Sequence, residues 1–168
     1  MWLSFGPIPI VSEQIYPGMG GIMVRFALVV ALLLVGPAVT AAEIAGQVKT
    51  LEGSAKVVRD GVTLPLLAGA DIHAADEIIT ADKSRLGLIL RDDTTLSMGP
   101  SSRMVVERLE FEPAADKLEQ GLAFTAGTFS VQVGQIAKLA PNRTDIRTPQ
   151  MTIGIRGTSF LVKVDGND

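Results

Sequence analysis

The sequence predicts an all-β domain, a sandwich or a β-roll or solenoid-like domain of many short strands, preceded by a signal peptide. Three observations lead there. Apolar and polar residues alternate with a strand-like period through nearly all of the chain beyond residue 42. Glycines and turn pairs interrupt that alternation at intervals of roughly 8–12 residues, the spacing of short strands in sandwiches and barrels. Upstream, a positive charge, an apolar run and small residues follow one another in the order of an export leader.

The leader comes first. Arg25 precedes an apolar run over residues 26–35, Gly36-Pro37 breaks any helix, and residues 39–42 are small. This layout reads as a secretory signal peptide over residues 23–42, cleaved after Ala41 or Ala42. From Phe26 to Val39 the apolar stretch is shorter than the ~20 residues that cross a bilayer, which argues against an anchor. Residues 1–22 read as an overextended gene start or a disordered leader, with Met23 or Met19 as initiator. Residues 43–168 form the expected domain.

Within it, residues 46–53 and 54–59 read as two strands around Gly53. Asp60-Gly61 is a hairpin turn. Residues 62–67 lead to a turn at Ala68-Gly69. Residues 76–80 make a short strand and 85–90 a more buried one. Asp92-Asp93 turns the chain into 94–98, which Gly99-Pro100 ends. Residues 103–111 alternate again. Residues 112–120 are polar and read as a loop or hairpin tip, with room for a helical turn or two between Ala114 and Leu122. Strands are expected at 121–125, 127–133 and 136–139, a loop at 141–143, and closing strands at 145–148 and 151–164. In the last of these Ile153, Ile155 and Leu161 are expected to face inward. Gly157 breaks the alternation and marks a bulge, a positive φ or a close backbone approach. No fixed repeat period is present, which argues against a propeller.

Composition excludes several functions. The 168 residues contain no cysteine, so there is no disulfide framework, thiolate metal site, cysteine nucleophile or lipid-modified cysteine. A net charge of −3 does not suit a general nucleic-acid binder. Trp2 and Tyr16 lie upstream of the expected cleavage point. Phe111, Phe124, Phe129 and Phe160 remain, few for a stacking platform. The chain is acid-rich from Glu107 to Glu119 and base-rich from Lys138 to Lys163. Such runs read first as solvated faces that partly pair, and second as a basic patch for an anionic partner.

Catalytic chemistry is poorly represented. His73 is the single histidine, and no Gly-x-Ser-x-Gly elbow accompanies it. It reads as a solvated side chain in a surface turn and not as a catalytic base. Asp71, Asp76, Glu77, Asp82, Asp92 and Asp93 are too dispersed for a calcium loop, and Asp92-Asp93 fits a turn in which Asp bonds its own backbone. The segment Gly154 to Gly157 lacks the lysine and following helix of a phosphate loop. We therefore expect no enzyme activity, no cofactor and no metal.

The most specific residues lie near the end. Arg147-Thr148-Pro149, then Met151 through Gly154, Arg156-Gly157-Thr158 and Phe160, resemble the closing motif of FecR-family domains. Asp76 through Thr80 resembles that family's Gly-Asp-x-Ile-x-Thr, with Ala75 in place of the usual Gly. Arg91 through Leu96 resembles its Asp-Gly-Ser-x-Leu turn, with Asp93 where Gly is usual. Gly121 and Gly127-Thr128-Phe129 resemble the next glycine-marked strand. The similarity runs from about residue 64 to residue 164. It implies a β-rich periplasmic domain that relays an envelope signal or binds an envelope protein or polymer. Family members that couple an iron transporter to a sigma factor also carry a cytoplasmic helical segment and a membrane span. Neither pattern is read here, so the resemblance implies the domain and not sigma-factor regulation.

On that basis Arg147, Arg156 and Thr158 are candidate partner-binding residues. Asp76, Thr80, Pro149, Gly154, Gly157 and Phe160 are structural positions of the motif. The expected function is an exported, non-catalytic sensing or binding module. The alternative is an envelope structural or adhesin-like domain that assembles by pairing strand edges. A small hydrolase built around His73 is a third reading.

Overall fold

One long strand organises the domain. The structure, a computed structural model, describes residues 43–155 and 159–166, all within the unit Ala41–Asp168. The signal-peptide reading, the cleavage point, Arg156, Gly157 and Thr158 lie outside the described residues. The strands are β1 (Ile44–Glu52), β2 (Ala55–Arg59), β3 (Val62–Pro65), β4 (Asp71–His73), β5 (Glu77–Thr80), β6 (Arg85–Leu90), β7 (Thr95–Met98), β8 (Arg103–Glu112), β9 (Lys117–Gln132), β10 (Thr144–Arg147), β11 (Thr152–Ile153) and β12 (Ser159–Val164). A short helix α1 (Gln135–Leu139) and two 3-10 turns complete the order.

The expected all-β class holds, and its form is a single curled sheet. The C-terminal half of β9 pairs with β7 and β12, in a wing ordered β12-β9-β7-β6-β1-β4. The N-terminal half pairs with β8 and β10, in a wing ordered β3-β2-β5-β8-β9-β10-β11. Pairing is antiparallel except between β10 and β9. Both wings contribute to one apolar cluster, with Leu86, Leu88, Leu96, Met98 and Phe129 from the first and Ile78, Met104, Val106, Leu122 and Phe124 from the second. Phe124 and Phe129 stack with ring centroids 4.3 Å apart, on either side of the bend in β9. A favourable aromatic pair thus ties the two halves of the strand together.

Backbone geometry explains the curl. The chain crosses between wings at Gly53, Gly69, Ala75, Lys83, Ser101 and Gly127, and each has a positive φ. The other positive-φ residues among the described ones, Asp60, Gly61, Asp93 and Asp116, sit at hairpin tips within a wing. A left-handed residue reverses the chain sharply, and glycine does so with least strain. Ala75 and Asp93, where the family resemblance would have Gly, have φ of 68° and 66°. Ala75 is exposed. Ala75→Gly should therefore raise stability by up to about 1 kcal/mol, the relief of an αL alanine less the extra freedom of the unfolded chain. An upward shift in the urea midpoint measures this, and a downward shift would refute the strain argument.

Three expectations are corrected. Residues 136–139 are helical, not a strand, because Gln135 N donates to Asp92 O (2.7 Å) and Gly134 N to Thr94 Oγ1 (2.9 Å), docking α1 on the β6–β7 turn. Residues 121–125 and 127–133 are not two strands but one, bent at Gly127, and it already begins at Lys117 inside the expected loop. Residues 151–164 are not one closing strand. β11 lies in one wing and β12 in the other, so alternation is not carried across. Ile153 and Ile155 pack against the core as expected, whereas Leu161 is 79% exposed.

Candidate functional site

The motif residues act first on the backbone. Asp76, at the start of β5, is fully buried. Its carboxylate accepts from Arg59 Nε and Nη2, each at 2.7 Å, and from His73 N at 2.8 Å. Arg59 Nη2 also donates to Asp71 O at 3.1 Å. The bidentate pair ties β2 to the β4–β5 corner, a geometry suited to a guanidinium and a carboxylate. Hydrogen bonding to Asp76 raises the Arg59 pKa above its ordinary value, against a weaker opposing effect of burial. His73 serves this corner through its backbone. Its ring is mostly covered, with Nδ1 3.9 Å from Asp76 Oδ2, which corrects the reading of a solvated side chain.

At the other end of β5, Thr80 is buried. Its Oγ1 donates to Gly99 O (2.7 Å) and accepts from Ser102 N (2.9 Å). Ser102 Oγ in turn accepts from Thr128 N (3.1 Å), and Ser84 Oγ accepts from Ser54 N (2.9 Å). Short hydroxyls thus satisfy backbone donors where the wing crossings stack, groups that would otherwise be buried without partners. Between Asp76 and Thr80, Ile78 enters the core. The Asp-x-Ile-x-Thr pattern is a strand pinned at both ends.

The Thr-Pro pair makes a turn. Thr148 N donates to Met151 O (2.8 Å), and Thr148 Oγ1 accepts from Met151 N (3.1 Å) and Gln150 N (3.3 Å). Pro149 occupies the second position, where its fixed φ suits a β-turn. Gly154 has open space where a side chain would begin, with no atom within 4 Å, and no positive φ. Phe160 packs half-buried against the core.

Arg147 lies on the outer face of the second wing, between Glu107, which it contacts through Nη2, and Asp145, 3.0 Å from its Nε. With Pro149, Thr125 and Glu107 it lines a shallow groove of about 200 Å³. The nearby pairs Arg103–Glu77 (3.0 Å), Arg108–Glu119 (3.2 Å) and Arg143–Asp116 (3.2 Å) continue the pattern. Acid-rich and base-rich segments therefore meet in the fold, and Arg103, Arg108, Arg143 and Arg147 are engaged internally.

A second groove has no counterpart among the sequence expectations. On the outer face of the first wing, Thr50, Gly87, Ser97, Ser130 and Leu161 form one transverse row across β1, β6, β7, β9 and β12. They line a groove of about 310 Å³ with Glu52, Arg85 and Thr128 at one end. Its floor is small and hydroxyl-rich, with an exposed leucine at its margin. Such a surface can accept hydrogen bonds from, and donate them to, an extended ligand. The sequence signal for it is the alternate Thr, Ser and Gly in strands whose other positions are apolar. No group of three or more His, Asp or Glu side chains is placed to hold a metal ion among the described residues.

Comparison with known proteins gives one result. No curated protein and no solved structure matches the chain. A family model described as FecR protein matches residues 76–168, more than half of the chain, starting at the buried Asp76 of the β5 motif. The chain belongs to the FecR family.

Proposed function

We propose that this chain is an exported, non-catalytic binding module of cell-envelope signalling, whose partner is an envelope protein or polymer. Membership of the FecR family carries the reading. The hydroxyl-lined groove of the first wing supports it, because its small side chains leave room for an extended partner strand or polymer. Arg147 is the weaker contact candidate, since Glu107 and Asp145 already occupy its guanidinium. No helix among the described residues is long and apolar enough to cross a membrane.

The absence of cysteine makes the test clean. The full chain with Ser97→Cys carries a unique thiol on the groove floor, to which a photo-crosslinker can be attached after export. The expected product is a periplasmic protein beginning at Ala42 or Glu43 that crosslinks to one envelope component from position 97. An unprocessed chain held in the membrane fraction would sink the export reading. Labelling from Ser97 no greater than from an exposed control such as Asp60 would sink the groove.

A further inference from the structure

Among the described residues four strands end the curled sheet: β3 and β11 on one wing, β4 and β12 on the other. Exposed edges offer unpaired backbone groups to any passing strand, and proteins usually blunt them. Three are blunted. β4 has three residues and β11 two. In β3, Leu66 N donates to Ala55 O (2.9 Å), so by alternation Pro65 occupies a slot whose N–H would point outward, and proline has none. β12 differs. It has six residues, Ser-Phe-Leu-Val-Lys-Val, without proline, and its one charge, Lys163, lies on the outer face near its end. Leu161 is 79% exposed on the outer face, while Phe160 and Val162 are only partly buried on the inner one.

We propose that β12 is a homodimer edge, pairing antiparallel with β12 of a second copy about a two-fold axis at Leu161. Directly opposite residues of an antiparallel pair share a face and lie about 4.5–5.5 Å apart. With the axis at Leu161, Leu161 meets the partner's Leu161 on the outer face and Phe160 meets the partner's Val162 on the inner face. Lys163 faces the partner's Ser159. Apolar meets apolar on both faces, and no like charges stand opposite. Moving the axis to Val162 would set Leu161 against the partner's Lys163, and moving it to Lys163 would oppose two lysines. This self-complementarity selects a second copy over an unrelated strand. A two-fold contact closes on itself, so it yields a dimer and no fibre. The row Thr50, Gly87, Ser97, Ser130, Leu161 then runs on through the axis into the partner's matching row, doubling the groove.

Sedimentation equilibrium of the purified chain tests this without reference to export or to any envelope partner. The expected result is a concentration-dependent dimer. Leu161→Lys and Leu161→Glu each place like charges on the axis and should weaken the dimer at least roughly tenfold. At concentrations where the parent is monomeric, both should melt like it, because Leu161 is exposed within one chain. An equimolar mixture of the two should restore dimers, since Lys now opposes Glu. A parent chain monomeric at its highest soluble concentration would overturn the proposal, leaving β12 to a different partner. Single variants that dimerise as well as the parent, or a mixture that stays monomeric, would overturn it as well.

Discussion

Gly127→Ala is expected to destabilise the domain by about 3–5 kcal/mol, a large part of the ~5–15 kcal/mol typical of a small domain. Gly127 has a φ of +102° at the bend where β9 passes from one wing to the other. A Cβ there would lie 2.1 Å from Ser102 Oγ and 2.5 Å from Ser102 Cα. Ser102 cannot retreat easily, because its N–H is held by Thr80 Oγ1 and its Oγ by Thr128 N. Backbone strain contributes ~1–3 kcal/mol and overpacking a comparable amount. Gly61→Ala is the control. Its φ is +76°, yet nothing lies within 4 Å of the added carbon. It should lose only the backbone part, about 1 kcal/mol. Urea denaturation of both variants separates strain from clash. Equal losses would mean that β9 bends without the Ser102 contact.

That bend shows where the sequence stops being readable. A glycine inside an alternating run can end a strand or bend it, and the choice rests on Ser102, which is remote in sequence. Local features are more legible. Asp60-Gly61 forms its hairpin turn, and Asp92 Oδ1 accepts from Thr94 N (3.2 Å), the expected bond of an Asp to its own turn. α1 reads as a strand because four apolar-rich residues are too few for period to decide, and its conformation depends on bonds from the β6–β7 turn. Leu161 reads as inward-facing only if alternation is carried through residues 156–158 into a strand of the other wing.

The candidate sites divide in the same way. Opposed charge runs predict their own pairing, and Arg147 with Glu107 and Arg143 with Asp116 realise it, since parallel pairing of β10 on β9 brings the two segments together. The groove of the first wing is hidden in the sequence, because its floor takes one residue from each of several strands and register alone aligns them. Arg59 is hidden too. Nothing local marks it as the partner of Asp76, 17 residues away.

Asp76→Ala is the second large effect, an expected loss of about 3 kcal/mol. Removing one member of a buried pair costs ~3–5 kcal/mol, because the remaining charge keeps its desolvation without its partner. The lower end applies here, since the Arg59 side chain is 27% exposed and can turn toward water. His73 N also loses its acceptor, which adds the penalty of an unpaired buried donor. Asp76→Asn preserves volume and one acceptor oxygen, so it should lose less. Arg59→Ala should lose a similar amount to Asp76→Ala, now through a stranded carboxylate. If the two act as one lock, the double variant loses clearly less than the sum of the single losses, with a coupling of about 1–3 kcal/mol. Urea melts of the four proteins measure that coupling. Additive losses would mean that Asp76 holds the β4–β5 corner through His73 N alone. An Asp76→Ala protein as stable as the parent would remove the structural role.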